Sequence, residues 1–209
     1  MPIWAAGSST ERSDGGAASR QSSEDSLEQS HRRPPDDAGG QLLYFAYGSN
    51  MLVARLTERA ASARAEGAAR LRDHRLAWHK PGADGSGKCD IVPSPGDEVW
   101  GVLYTLSSED KVTLDEIEGV GAGYELVQVA VERGDGRLAA AAYRATEVED
   151  GAVPYAWYKA LVVSGAREHG LPDDYVRQLE GTPAMRDTDD VRRMMNAALL
   201  LLRDEGAGG

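Results

Sequence analysis

Three stretches of this sequence hold residues whose types and spacing could do chemistry. The first, "YFAYGSN" at 44–50, is an aromatic apolar run that stops at a glycine, a serine and an asparagine. A strand running into Gly48, with Ser49 and Asn50 as caps of a following helix, would aim several free backbone N–H groups at one point. Gly48 lets a ligand approach the backbone, and the helix dipole favours a carboxylate or a developing oxyanion there. Taken alone, the stretch is at least as well read as an ordinary capped strand-to-helix turn.

The second, "LDEIEG" at 114–119, sets Asp115, Glu116 and Glu118 around an expected helix end. Carboxylates at a helix C-terminus oppose the macrodipole, which costs stability and invites a functional explanation; an exposed acidic turn is the plain alternative. The third, "GADGSGKC" at 82–89, nearly spells the phosphate-binding pattern G-x-x-x-x-G-K-[ST]. Its last position is Cys89, which lacks a hydroxyl for Mg²⁺, and Ile91, Val92 and Pro93 follow where a phosphate loop would open a helix, so it reads as a hairpin loop.

Other chemistries find little support. His31, His74, His79 and His169 do not fall into metal-ligand spacing, and Cys89 is the only cysteine, so neither a metal site nor an internal disulfide is expected. Cys89 reads as a plain buried thiol, and His169 as a residue that stabilises a helix C-terminus. A net charge of −11 argues against a general binder of nucleic-acid backbones. The longest apolar run, "AALLLL" at 197–202, is too short to span a bilayer, and no signal-peptide pattern opens the chain, so a soluble intracellular protein is expected.

The elements that must position these residues can be read from periodicity. Residues 1–40 are Ser, Gly, Asp, Glu and Arg with almost no apolar pattern, and are expected to be a disordered tail. Residues 41–209 then form the catalytic domain, its folded part roughly 165 residues, ample for one core. "LLYFAY" is a strand and "NMLVARLTERA" a short amphipathic helix; "AARLRDHRLAWH" is a strand, "KCDIVP" a short one, and "VWGVLYTL" another after a turn at Pro95, Gly96 and Asp97. Ser107 or Ser108 caps a helix that ends at Gly119, with Val112, Leu114 and Ile117 facing inward. "YELVQVAVER" and "RLAAAAYRATE" flank "GDG" as a β-hairpin. A helix from Pro154 to about Gly170 and two more, near 173–180 and 187–203, finish the chain. Strands first and helices last, without βαβ alternation, predict an α+β fold with a small mixed, mainly antiparallel, barrel-like sheet and flanking helices.

"YFAYGSNM", "SPGDEVWGVLYTLSSEDKVTLDEIEGVGAGY" and "GAREHGLP" together closely resemble the γ-glutamylcyclotransferase family, in order and spacing, over roughly residues 42 to 180. The resemblance implies conversion of a γ-glutamyl amino acid into 5-oxoproline and the free amino acid, without metal or cofactor. It maps the catalytic general acid/base to Glu118, which directly precedes the glycine of the "EG" step, and an apolar setting is expected around it. It maps substrate binding to Tyr44, Phe45, Ala46, Tyr47, Gly48 and Ser49, with Asn50 adjoining, and to Tyr143, a sheet tyrosine that core packing would explain equally well. A γ-glutamyl small molecule is the expected partner, with no nucleic acid or membrane; homodimerisation, a cytoplasmic location and a place in glutathione metabolism are further expectations. Two alternatives stay open: an enzyme of the same superfamily that releases an amine or a biosynthetic intermediate, and a non-catalytic module that keeps the pocket.

Overall fold

The structure is a computed structural model that describes residues 41–202; the expected N-terminal tail lies outside the described residues. Five strands close into a barrel in the order β1 (Gln41–Ala46), β3 (Gly87–Ser107), β2 (Arg64–Pro81), β4 (Tyr124–Arg133), β5 (Gly136–Ala145). All pairings are antiparallel except the closing one, where β1 meets β5 in parallel at Tyr44 and Ala141. Closure removes the exposed edges an open sheet would leave.

The β4–β5 hairpin forms where the sequence predicts it. Arg133 pairs with Gly136 across Gly134 and Asp135, and Gly134 takes a positive φ of 56° that suits the tight turn. Between "KCDIVP" and "VWGVLYTL" the structure differs from expectation: one strand, β3, runs through both. Pairing jumps from His74–Pro93 to Arg72–Glu98, so Ser94 to Asp97 form an outward bulge rather than a turn between two strands. Asp73, at φ 57°, accepts from the Gly96 N–H and ties the bulge down.

Past β1 the chain makes a 3-10 turn, Ser49–Met51, breaks at Leu52, which is extended, and resumes as α1 (Val53–Arg59). The single expected helix is thus two pieces, and neither Ser49 nor Asn50 caps it with a side chain. The cap comes from elsewhere: Glu168 accepts from the Val53 N–H at 3.0 Å. Glu168 ends α3 (Ala156–Glu168), and α3 crosses the turn at backbone contact, because Gly165 has no side chain. A Cβ there would stand 2.4 Å from the Leu52 nitrogen.

The helix α2 (Ser108–Glu118) begins with Ser107 accepting from the Asp110 N–H and ends at Gly119 in the left-handed region. Of its three expected core residues only Leu114 is buried. Val112 and Ile117 are exposed, so the helix packs inward through one residue rather than through a full apolar stripe. Finally α4 (Asp173–Gly181) and α5 (Asp190–Leu201) pack on α3. The last helix starts later than predicted, because Asp189 is its cap, and buried Asp187 accepts from Trp157 and takes a two-pronged ion pair from Arg192.

His169 does not act as a cation at a helix end. Its Nε2 meets the Tyr104 hydroxyl at 2.9 Å, and burial pushes the imidazole below its ordinary value, so it is held neutral. No helix among the described residues is long and apolar enough to cross a membrane.

Candidate active site

Tyr44 of β1 and the turn that follows the strand line a pocket of about 310 Å³, its open mouth included. Of the residues expected from sequence, Tyr44, Tyr47, Gly48, Ser49, Asn50, Glu118 and Tyr143 line it. Phe45 and Ala46 are not among the lining residues. Strand alternation sends Phe45 to the opposite face, and both residues are fully buried in the core.

The turn after β1 contributes Gly48, Ser49 and Asn50 to this lining. The N–H groups of Gly48, Ser49 and Asn50 donate to no acceptor among the described residues, whereas those of Met51 and Leu52 close back on Gly48 and Ser49. Gly48 is required for room rather than for a special φ. A Cβ on it would press on the Cys89 Cβ at 3.1 Å and the Tyr158 hydroxyl at 3.3 Å, both on the pocket wall.

Glu118, the last residue of α2, stands where the helix dipole disfavours a carboxylate, and two donors compensate. Arg59 Nη1 and Asn50 Nδ2 both reach Oε1, at 2.8 and 3.0 Å, while Oε2 has no partner among the described residues. Arg59 lies in the last turn of α1, where a cation is favoured, and also donates to Asn50 Oδ1 at 3.1 Å. Asn50 is therefore the hinge of the cluster, since its Nδ2 is also 3.1 Å from the Tyr44 hydroxyl. The apolar setting expected around Glu118 is replaced by a guanidinium and an amide.

Tyrosines form most of the remaining wall. Tyr47 donates to the Tyr143 carbonyl, Tyr124 donates to the Cys89 carbonyl at 2.8 Å, and Tyr158 accepts from the Cys89 N–H at 3.2 Å. Tyr143 donates to Asp115 Oδ1 at 2.8 Å, so one of the two carboxylates passed over in "LDEIEG" anchors its hydroxyl, and Lys111 neutralises that carboxylate. Desolvation by burial, first, pushes the hydroxyls of Tyr44, Tyr47, Tyr124, Tyr143 and Tyr158 above the ordinary phenol range. Burial also pushes the Cys89 thiol up to about 12. These groups are neutral near pH 7, and Glu118 is the one carboxylate among the described residues that line the pocket.

The pocket opens into a wider outer cleft of about 1120 Å³, the open space at its mouth included, with Ser49, Glu118, Tyr124 and Tyr158 shared between them. Sequence reasoning missed Arg59, Tyr124, Tyr158 and Cys89. A signal existed for Tyr124: it opens the strand paired with that of Tyr143, on the same face and one diagonal step away. Arg59 carries no local signal, because any arginine on a polar helix face looks the same. Among the described residues no group of three or more His, Cys, Asp or Glu side chains is placed to hold a metal ion.

The chain is similar in sequence and fold to known proteins. Residues 98–179 match the AIG2-like family. The chain is 38% identical over 148 residues to a γ-glutamylcyclotransferase of Bos taurus, an alignment covering 68% of this chain and 78% of that protein. It is 37% identical over 155 residues to one of Mus musculus, covering 68% and 79%. A solved structure of a γ-glutamyl cyclotransferase superposes with a TM-score of 0.71 at 34% identity, covering 76% of this chain and 98% of that one.

Proposed function

The chain belongs to the γ-glutamylcyclotransferase family, and on that premise we propose that it converts γ-glutamyl amino acids into 5-oxoproline and the free amino acid, with Glu118 moving the protons. The observation that carries this reading is that, among the described residues, the pocket's one carboxylate and the residues of a turn with three unengaged N–H groups line the same small cavity, although some seventy residues separate them in the chain.

In the reaction the substrate's α-amine attacks its own γ-carbonyl. Nucleophile and electrophile are tethered, so folding the glutamyl chain into a near-attack shape supplies much of the rate, with effective molarity worth up to about 7–11 kcal/mol in favourable cases. The five tyrosine rings shape a pocket that holds the chain folded. The α-amine arrives as an ammonium and must lose a proton before it attacks. Glu118 Oε2, which has no partner among the described residues, takes it, while Arg59 and Asn50 hold Oε1 and fix the carboxylate's orientation.

Attack forms the ring C–N bond and puts negative charge on the γ-oxygen, which on this reading the N–H groups of Gly48, Ser49 and Asn50 receive. They suit the α-carboxylate of the substrate equally. The tetrahedral intermediate then collapses. The bond to the departing nitrogen breaks as Glu118 returns its proton to that nitrogen, the ring nitrogen gives its second proton to the freed carboxylate to become the lactam N–H, and that proton passes to the released amine, so 5-oxoproline and the amino acid leave with the enzyme unchanged.

The same reading takes the enzyme as a cytoplasmic homodimer of glutathione metabolism. The deciding experiment is incubation of the purified protein with a panel of γ-glutamyl dipeptides and γ-glutamyl amines, with 5-oxoproline detected by mass spectrometry. Release from the dipeptides is expected, and its absence from every compound would overturn the proposal.

A further inference from the structure

The outer cleft is positively charged in a chain whose net charge is −11. Five cations line it, Arg55, Arg59, Lys80, Lys88 and Arg192, against the two carboxylates of Asp84 and Glu118. Three of the five are already committed: Arg59 to Glu118 at 2.8 Å, Lys88 to Asp84 at 2.7 Å and Arg192 to Asp187 at 2.6 Å.

The other two are under-neutralised. Lys80 lies over the Tyr124 ring, its Nζ 5.0 Å from the centroid, and makes no ion pair among the described residues. Arg55 donates to Asn196 Oδ1 at 3.2 Å; its nearest carboxylate, exposed Glu58, is 4.0 Å away, and its buried Nε has no partner. Burial and the neighbouring Arg59 guanidinium lower the Arg55 group to about 10, the direction expected for a cation short of counter-charge.

The cleft opens directly from the inner pocket at Glu118 and Tyr124, so a γ-glutamyl group seated inside would project its departing half here. We propose that the outer cleft is the seat of the departing amino acid and that Lys80 and Arg55 select leaving groups with a second carboxylate, γ-glutamyl-glutamate and γ-glutamyl-aspartate over γ-glutamyl-alanine. This rests on the cyclotransferase reading above and narrows its substrate class. A departing amino acid of that kind brings an α-carboxylate and a side-chain carboxylate to a cleft with two under-neutralised cations. A released neutral amine would bring none and leave the positive field uncompensated.

Tyr124 and Lys80 give the selection its geometry. The ring forms part of the boundary between pocket and cleft, and the ammonium held over its face stands at the point where the departing half emerges. Asn196 and Arg192 extend α5 along the far wall, so the C-terminal helix takes part in forming the leaving-group site.

The test is kcat/KM for γ-glutamyl-glutamate, γ-glutamyl-alanine and γ-glutamyl-methylamine, with wild type, Lys80→Gln and Lys80→Glu, at low and high salt. The expected ratio of the glutamate to the alanine compound is about tenfold in wild type, carried mainly by KM and shrinking with salt, as for one charge-assisted contact. It should fall to about one in Lys80→Gln and invert in Lys80→Glu. Turnover of the alanine compound with no preference for glutamate, or a preference that Lys80→Glu leaves intact, overturns the inference and leaves the cyclotransferase reading standing. No 5-oxoproline from any compound overturns both.

Discussion

Arg59 and Glu118, each the last residue of its helix and 59 positions apart in the chain, meet through a single Nη1–Oε1 contact of 2.8 Å at the mouth of the pocket. Each end suits its charge unequally: a cation at the end of α1 is favoured by the dipole, and a carboxylate at the end of α2 is not. The pair therefore lets α1 hold in place a carboxylate that α2 alone would disfavour. Both side chains are less than one-fifth exposed, so solvent screens the contact only in part.

Arg59 is accordingly a positioning residue. Arg59→Gln should lower kcat about 10- to 100-fold with a smaller change in KM, since it loosens the carboxylate without removing it. Arg59→Lys should recover part of that loss. Equal effects of the two substitutions, or an effect confined to Tm, would reduce the contact to a structural one.

Gly165 tests the scaffold. Its missing side chain lets α3 lie on the turn that carries Ser49 and Asn50, and a Cβ would stand 2.4 Å from the Leu52 nitrogen and 2.7 Å from the Met51 carbonyl carbon. Backbone cannot yield as a flexible side chain does. Gly165→Ala is expected to cost about 2–3 kcal/mol of stability by overpacking, a fall of roughly 5–10 °C in Tm for a domain of this size. Turnover should suffer at temperatures where the fold persists. Unchanged Tm in calorimetry would show that helix and turn can part at little cost.

His169 makes stability depend on pH. Its folded value lies below the ordinary 6.5, chiefly from burial against Tyr104, so in the acidic range the unfolded chain binds the extra proton more readily. The contribution is fully present above the unfolded value and is lost as pH falls through the folded one. Tm should therefore decline below about pH 6.5 more steeply in wild type than in His169→Gln. Parallel curves for the two proteins would show that His169 does not carry the dependence.

Local chemistry made much of the fold legible. The Gly134–Asp135 hairpin, the Ser107 cap and Gly119 stop of α2, and the glycine after α3 are each specified by residues within a few positions of the feature they set. What could not be read depends on distant partners. Leu52 breaks the first helix where the backbone of α3 lies against it, and β3 stays continuous because β2 supplies Asp73 to hold the bulge. Val112 and Ile117 fit an inward helical stripe, yet of that stripe only Leu114 is buried.

The candidate site divides in the same way. Tyr44, Tyr47, Gly48, Ser49, Asn50, Glu118 and Tyr143 lie together in one pocket, and period-two alternation within "YFAYGSN" accounts for the departure of Phe45 to the core. Arg59 and the cations of the outer cleft come from α1, the end of β2, the start of β3 and α5, which the fold brings together. The sequence loop "GADGSGKC" thus belongs to the cleft through Asp84 and Lys88, without binding phosphate through a helix N-terminus.

The most direct test of the account is turnover by Glu118→Gln, an exchange that keeps size and hydrogen bonding while removing the base. With γ-glutamyl-alanine as substrate and 5-oxoproline as the measured product, the account predicts a loss of at least about a thousandfold in kcat with circular dichroism unchanged. A folded Glu118→Gln protein that retains a substantial fraction of the wild-type rate would contradict it.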